Sequence, residues 1–253
     1  MFQEHDPSLV IAYIVGLGGW LLANRLLPSV WPRKQSNGFE HPWKEFGIAL
    51  LGAICILAIG QLWSSGIRLP EQGTLGTLLG SINQIFIFSP VLLILFIRRQ
   101  PLTSVWLPRA RIATRLLIGI VLASLAVITY SFIREGADPP WILFGRIWQY
   151  EHIDKMVQVF LEDLTIAFMF VRLAGAIGNR WATVVVACLF AAGHIPAMIS
   201  KGATWLELAS LLRDAGLGVV VILVLQRSRD VVWFWCLHFC LDMTQFPRIS
   251  GIG

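Results

Sequence analysis

Four side chains able to move protons, Glu162, His194, His238 and Asp242, stand in stretches of this chain that are otherwise apolar. Asp163 lies beside the first, and Phe190 lies one helical turn before the second. Arg213 and Asp214 interrupt a further apolar stretch. Carboxylates and imidazoles are the usual groups of general acid–base catalysis. They also serve as proton or ion relays inside membranes. His238 and Asp242 are four residues apart, as are Phe190 and His194, so each pair shares one face of a helix.

Those residues are informative only because of the elements that carry them. The chain has 253 residues, of which 56% are hydrophobic and 14% charged, with a mean hydropathy of +0.70. Soluble domains carry nearer a quarter charged residues. A chain this apolar belongs in lipid, where a helix satisfies its own backbone. The fold expected is an all-α, polytopic transmembrane bundle. Eight windows are long enough to cross: 8–30, 45–63, 79–97, 112–133, 156–174, 181–199, 206–225 and 231–247. The first seven residues, MFQEHDP, are acidic, and no cleavage site follows the first window, so that window reads as a span and not a signal peptide.

Tryptophans 31, 43, 63, 106, 141, 181 and 205 mark window ends and read as an aromatic belt. The segment 141–152, WILFGRIWQYEH, reads as a helix lying in the interface. The net charge is +5, but the cations sit in short loops and read as topology signals, with no nucleic-acid partner expected. Thirteen of them, including Arg33, Lys34, Arg98, Arg115, Arg172 and Arg229, fall on one side. Six, including Arg68, Lys201 and Arg248, fall on the other. The positive-inside rule places the first side in the cytoplasm and both termini outside. Cys55, Cys188, Cys236 and Cys240 lie in apolar windows and read as buried thiols. Asn83 and Gln84 read as hydrogen-bond partners between helices.

Residues 1–134 therefore read as scaffold helices and 135–253 as the helices that carry chemistry, within one membrane domain. Each intramembrane charge costs a few kcal/mol against lipid, so the polar groups must face one another or a watery cavity.

Glu162 and Asp163, followed by FAAGH at 190–194 and HFCLD at 238–242, resemble the CAAX prenyl endopeptidase and bacteriocin-processing (CPBP, or Abi) family of intramembrane glutamic-type proteases. That family carries EExxxR, FxxxH and HxxxN or HxxxD on three transmembrane helices. Glu162 precedes His194 by 32 positions and His238 by 76, spacings that fit. The resemblance covers about 155–247. Two positions depart from it: the second acidic residue is Asp163, and the family arginine is Ala167. Arg172 or Arg213 is a substitute counter-charge for Asp163 if the fold brings either close.

The resemblance implies peptide-bond hydrolysis, with a water activated by Glu162 and His194. It implies that His238 and Asp242 serve the oxyanion, with Asp242 holding His238 in its donating tautomer. No cofactor is implied. Zinc held by Glu162, His194 and His238 is a minority alternative, because the set lacks the short HExxH spacing. The expected partners are membrane lipid and a peptide or lipidated-protein substrate, in a bacterial or archaeal inner membrane. A catalytically inactive relative that binds a membrane partner is the main rival. A transporter is a weaker one, since no repeated halves are evident.

Overall fold

The computed structural model describes residues 7–31, 38–71, 75–134, 137–200 and 202–245. Among these, every regular element is a helix. In chain order they are α1 (Pro7–Leu26), α2 (Pro42–Ser64), α3 (Gly76–Ile97), α4 (Ile112–Ile133), α5 (Pro140–Ile147), α6 (Ile153–Gly193), α7 (Ile195–Ser200), α8 (Trp205–Ser228) and α9 (Val231–Thr244), with 3-10 turns at Leu102–Val105 and Tyr150–His152. Six helices are long and apolar enough to cross a membrane. The chain is thus a helical bundle of the kind an integral, multi-pass protein forms.

The eight apolar windows map onto these helices with one fusion. The fifth window and most of the sixth lie in α6, a run of 41 residues, about 60 Å if straight, and the sixth ends in α7. No bilayer is that thick. The run breaks at Gly178, whose φ of 77° and ψ of 159° are open to glycine almost alone. Contacts with α2 give the direction on each side. Gly175 packs against Phe39 and Pro42, Phe168 against Gly52, and Gly193 against Leu57. Residues 153–177 therefore run against α2 and residues 179–193 run along it, so α6 is a hairpin of two limbs. The last window is α9, whose 14 residues reach about 21 Å.

α9 is central because it carries His238 and Asp242. A Cβ at Gly119 of α4 would stand 2.7 Å from the Trp233 carbonyl oxygen, so only glycine allows the two helices this close. On another side, Trp20 stacks on Trp233 with ring centroids 5.4 Å apart, and Gly16 meets Leu237. Trp148, just after α5, contacts Phe239.

The cations gather at one end. Asp230 caps α9 by accepting from the Val232 amide at 2.9 Å, and it accepts from the Trp31 indole at 2.7 Å and from Arg115. Burial pushes its carboxyl above the ordinary value, and the Arg115 charge pulls it back. A second clamp forms where Arg98 and Arg172 both pair with Glu45, joining α2, α3 and α6.

Several local expectations are corrected. Trp31 and Trp106 are buried rather than placed in a belt, because Trp31 serves Asp230 and the Trp106 carbonyl accepts from Val231 at 3.1 Å. Trp43, Trp141, Trp181 and Trp205 are exposed. Asn83 does not bridge helices; it holds the loop after α2 through both backbone groups of Leu69 and through Glu71. In the 141–152 segment, Leu143 and Ile147 are buried while Trp141 and Trp148 are exposed, the pattern of an amphipathic element. The four cysteines are free, and two of them are not buried: Cys188 is exposed and Cys55 half-buried. Residues 1–6 and the orienting cations Arg33, Lys34, Lys201 and Arg248 lie outside the described residues.

Candidate active site

The site is built where α9 crosses the first limb of α6. His238 Nδ1 lies 2.8 Å from Asp163 Oδ1, and both residues are buried, Asp163 fully. An ionised Asp163 accepts, so Nδ1 carries the proton and the ring is held in one orientation. The other ring nitrogen, Nε2, lies 3.7 Å from Asp242 Oδ1, one turn further along α9. Trp235 donates to the Met156 carbonyl at 2.9 Å, a second tie between the same two helices.

Glu162 stands beside Asp163 and is half-buried, as is Asp242. Its Oε1 accepts from Gln158 Nε2 at 2.8 Å, and Gln158 in turn accepts from Lys155 at 3.0 Å. These three residues line one helix face at spacings of three and four. The charges that act on His238 are those of Asp163, Asp242 and Glu162. The arrangement thus has two layers: a buried Asp163–His238 pair, and two half-buried carboxylates within reach of water.

The role expected of Asp242 needs adjustment. The bond that orients His238 comes from Asp163, while Asp242 faces the opposite nitrogen. The substitute counter-charge is also settled in part. Arg172 lies nine residues beyond Asp163, about 13 Å along the helix, and is turned to Glu45, Gln100 and the Phe168 carbonyl. Arg213 is exposed. With alanine at 167, the positive partner offered to Asp163 is His238. Asp163 Oδ2 is buried with no hydrogen-bond partner among the described residues.

His194 is placed differently. It ends the second limb of α6, is exposed, and donates from Nδ1 to the Phe190 carbonyl at 3.0 Å. The half-buried Phe190 ring packs edge-on against it at 5.0 Å. In a neutral ring this leaves Nε2 with its lone pair outward. His194 shares a height with Glu162. Gly193 meets α2 five residues beyond the level of Phe168, about 7.5 Å, and Glu162 lies six residues above Phe168, about 9 Å. The fold therefore gathers Glu162, Asp163, His238 and Asp242 and sets His194 at their level on the other limb.

Among the described residues no three His, Cys, Asp or Glu side chains are gathered so as to hold a metal ion.

Sequence reasoning missed Tyr13, Gln158 and Lys155. Tyr13 belongs to α1, in the half read as scaffold; its ring lies 6.5 Å from that of His238. Gln158 and Lys155 were legible from their helical spacing to Glu162. Tyr13 was not, because only the packing of α1 on α9 brings it there. No family model, curated protein or solved structure matches this chain.

Proposed function

We propose that the chain is an intramembrane endopeptidase of the glutamate type, with a site reached from within the bilayer. The observation that carries this reading is the Asp163–His238 hydrogen bond flanked by Glu162 and Asp242. A buried acid–imidazole pair beside half-buried carboxylates is the equipment of a water-activating hydrolase. The order of the three motifs, which resembles the CPBP family, supports it.

In this reading Glu162, steadied by Gln158, takes a proton from water through its second oxygen. The hydroxyl oxygen adds to the scissile carbonyl carbon, and the carbonyl electron pair moves onto its oxygen. His238, held by Asp163 through Nδ1–H and protonated on Nε2 as well, donates Nε2–H to that oxyanion. The carbon–nitrogen bond then breaks, and the proton held by Glu162 passes to the leaving amine. His194, at the same height, steadies the water from the facing limb. No metal is called on at any step. The substrate class is a peptide or lipidated protein tail embedded in the membrane. The host membrane is a bacterial or archaeal inner membrane, with the cation-rich end in the cytoplasm.

A second reading, an inactive relative that binds a membrane partner, is favoured by one observation: His194 bonds Phe190 and stays outside the cluster. Membrane proteins from a deletion strain complemented with the wild type, Glu162→Gln or Glu162→Ala separate the two. Accumulation of one uncleaved precursor in both variants supports hydrolysis. A full wild-type phenotype in both supports the binding role.

A further inference from the structure

Among the residues gathered at this site, hydrogen-bond donors are few. Glu162, Asp163 and Asp242, when ionised, only accept. His238 commits Nδ1 to Asp163 and keeps only Nε2 to give, and Gln158 commits its amide to Glu162. Negative charge that develops during a reaction here needs a further donor.

α1 carries one to the place. Three contacts at successive turns of α1 fix its register against α9: Trp20 on Trp233, Gly16 on Leu237, Tyr13 beside His238. Tyr13 is buried, with only 6% of its surface exposed. Its ring lies beside that of His238, whose two nitrogens face Asp163 and Asp242. A buried tyrosine hydroxyl normally finds a hydrogen-bond partner, and these carboxylates are the acceptors at hand. The buried, unpartnered Asp163 Oδ2 adds to the demand for a donor.

We infer that Tyr13 is the hydrogen-bond donor of this site, its hydroxyl facing the carboxylates around His238 from α1. Its placement does not depend on the reaction. Its catalytic use rests on the hydrolytic reading: when the tetrahedral oxyanion forms, the O–H donates to it alongside His238 and is not itself consumed.

Two measurements test this. The chain has three tyrosines, Tyr13, Tyr130 and Tyr150, so 3-fluorotyrosine labelling gives three 19F lines, assigned by Tyr→Phe changes. In Asp242→Asn and Asp163→Asn the Tyr13 line should move while the Tyr130 and Tyr150 lines stay. A Tyr13 line that stays in both variants overturns the inference. Separately, Tyr13→Phe keeps the ring and its packing. In phospholipid vesicles with a library of internally quenched peptides, it should lower kcat by about 100-fold with KM unchanged, while the unfolding temperature falls only modestly from the lost hydrogen bond. Undiminished kcat overturns the catalytic part. If the wild type cleaves nothing, or Glu162→Gln cleaves as well as the wild type, the hydrolytic reading fails instead, and the 19F lines still decide where the hydroxyl points.

Discussion

His238 Nδ1 meets Asp163 Oδ1 at 2.8 Å, joining the last helix of the bundle to the first limb of α6. Both groups are buried and each is the principal polar partner of the other. The same contact orients an imidazole and neutralises an intramembrane charge, so its loss should be felt in both stability and chemistry.

Asp163→Ala leaves a buried imidazole without its partner. Breaking a buried pair from one side costs about 3–5 kcal/mol. A clear fall in thermal unfolding temperature in lipid vesicles is expected. Asp163→Asn keeps an acceptor for His238 and should lose less. Equal losses for the two variants would mean that the hydrogen bond is not what matters.

The close approach of α4 and α9 at Gly119 should tolerate no side chain. Gly119→Ala drives a methyl into the Trp233 backbone, and forced overpacking costs roughly 1–3 kcal/mol. Gly18→Ala provides the contrast, since nothing lies within 4 Å of a Cβ there. That variant should be neutral or slightly stabilised, as alanine is the better helix former. The two unfolding temperatures check the pair.

Gly178 makes the turn between the limbs of α6 at a positive φ. Gly178→Ala places a Cβ in that region at a cost of order 1–3 kcal/mol. Because the second limb carries His194, the change should also alter a spin-label distance between positions 160 and 190. An unchanged distance and unchanged stability would contradict the hairpin.

At the cation-rich end, Arg115→Ala should destabilise by about 3 kcal/mol, because it strands the fully buried Asp230 that caps α9. Arg109 is exposed, and its replacement by alanine should stay within about 0.5 kcal/mol. Similar losses at both positions would mean that general loop charge, not the Asp230 clamp, is responsible.

Much of this was legible in the residues themselves. Apolar length announced the helices, and Glu162, Asp163, His238 and Asp242 stood out because lipid rejects them. Long-range pairing was not legible. Nothing in the spacing says that Asp163 rather than Asp242 holds His238, since a four-residue spacing on one helix is visible and a contact across 75 residues is not. Trp31 and Trp106 carried the same belt signal as Trp43, and only tertiary packing separates them. The fifth and sixth windows looked independent, yet a single glycine makes both turn and join. Tyr13 carried no signal in its own helix, because its neighbours there are apolar.

The most direct test of the central assignment is cleavage by the purified full-length chain in phospholipid vesicles, wild type against Glu162→Gln, with the internally quenched peptide library as substrate. Glutamine keeps the side-chain shape and removes the base. Wild-type cleavage that falls at least about 100-fold in Glu162→Gln, with an unchanged unfolding temperature, is the expected result. Cleavage equal in the two proteins contradicts the assignment of Glu162 as the general base.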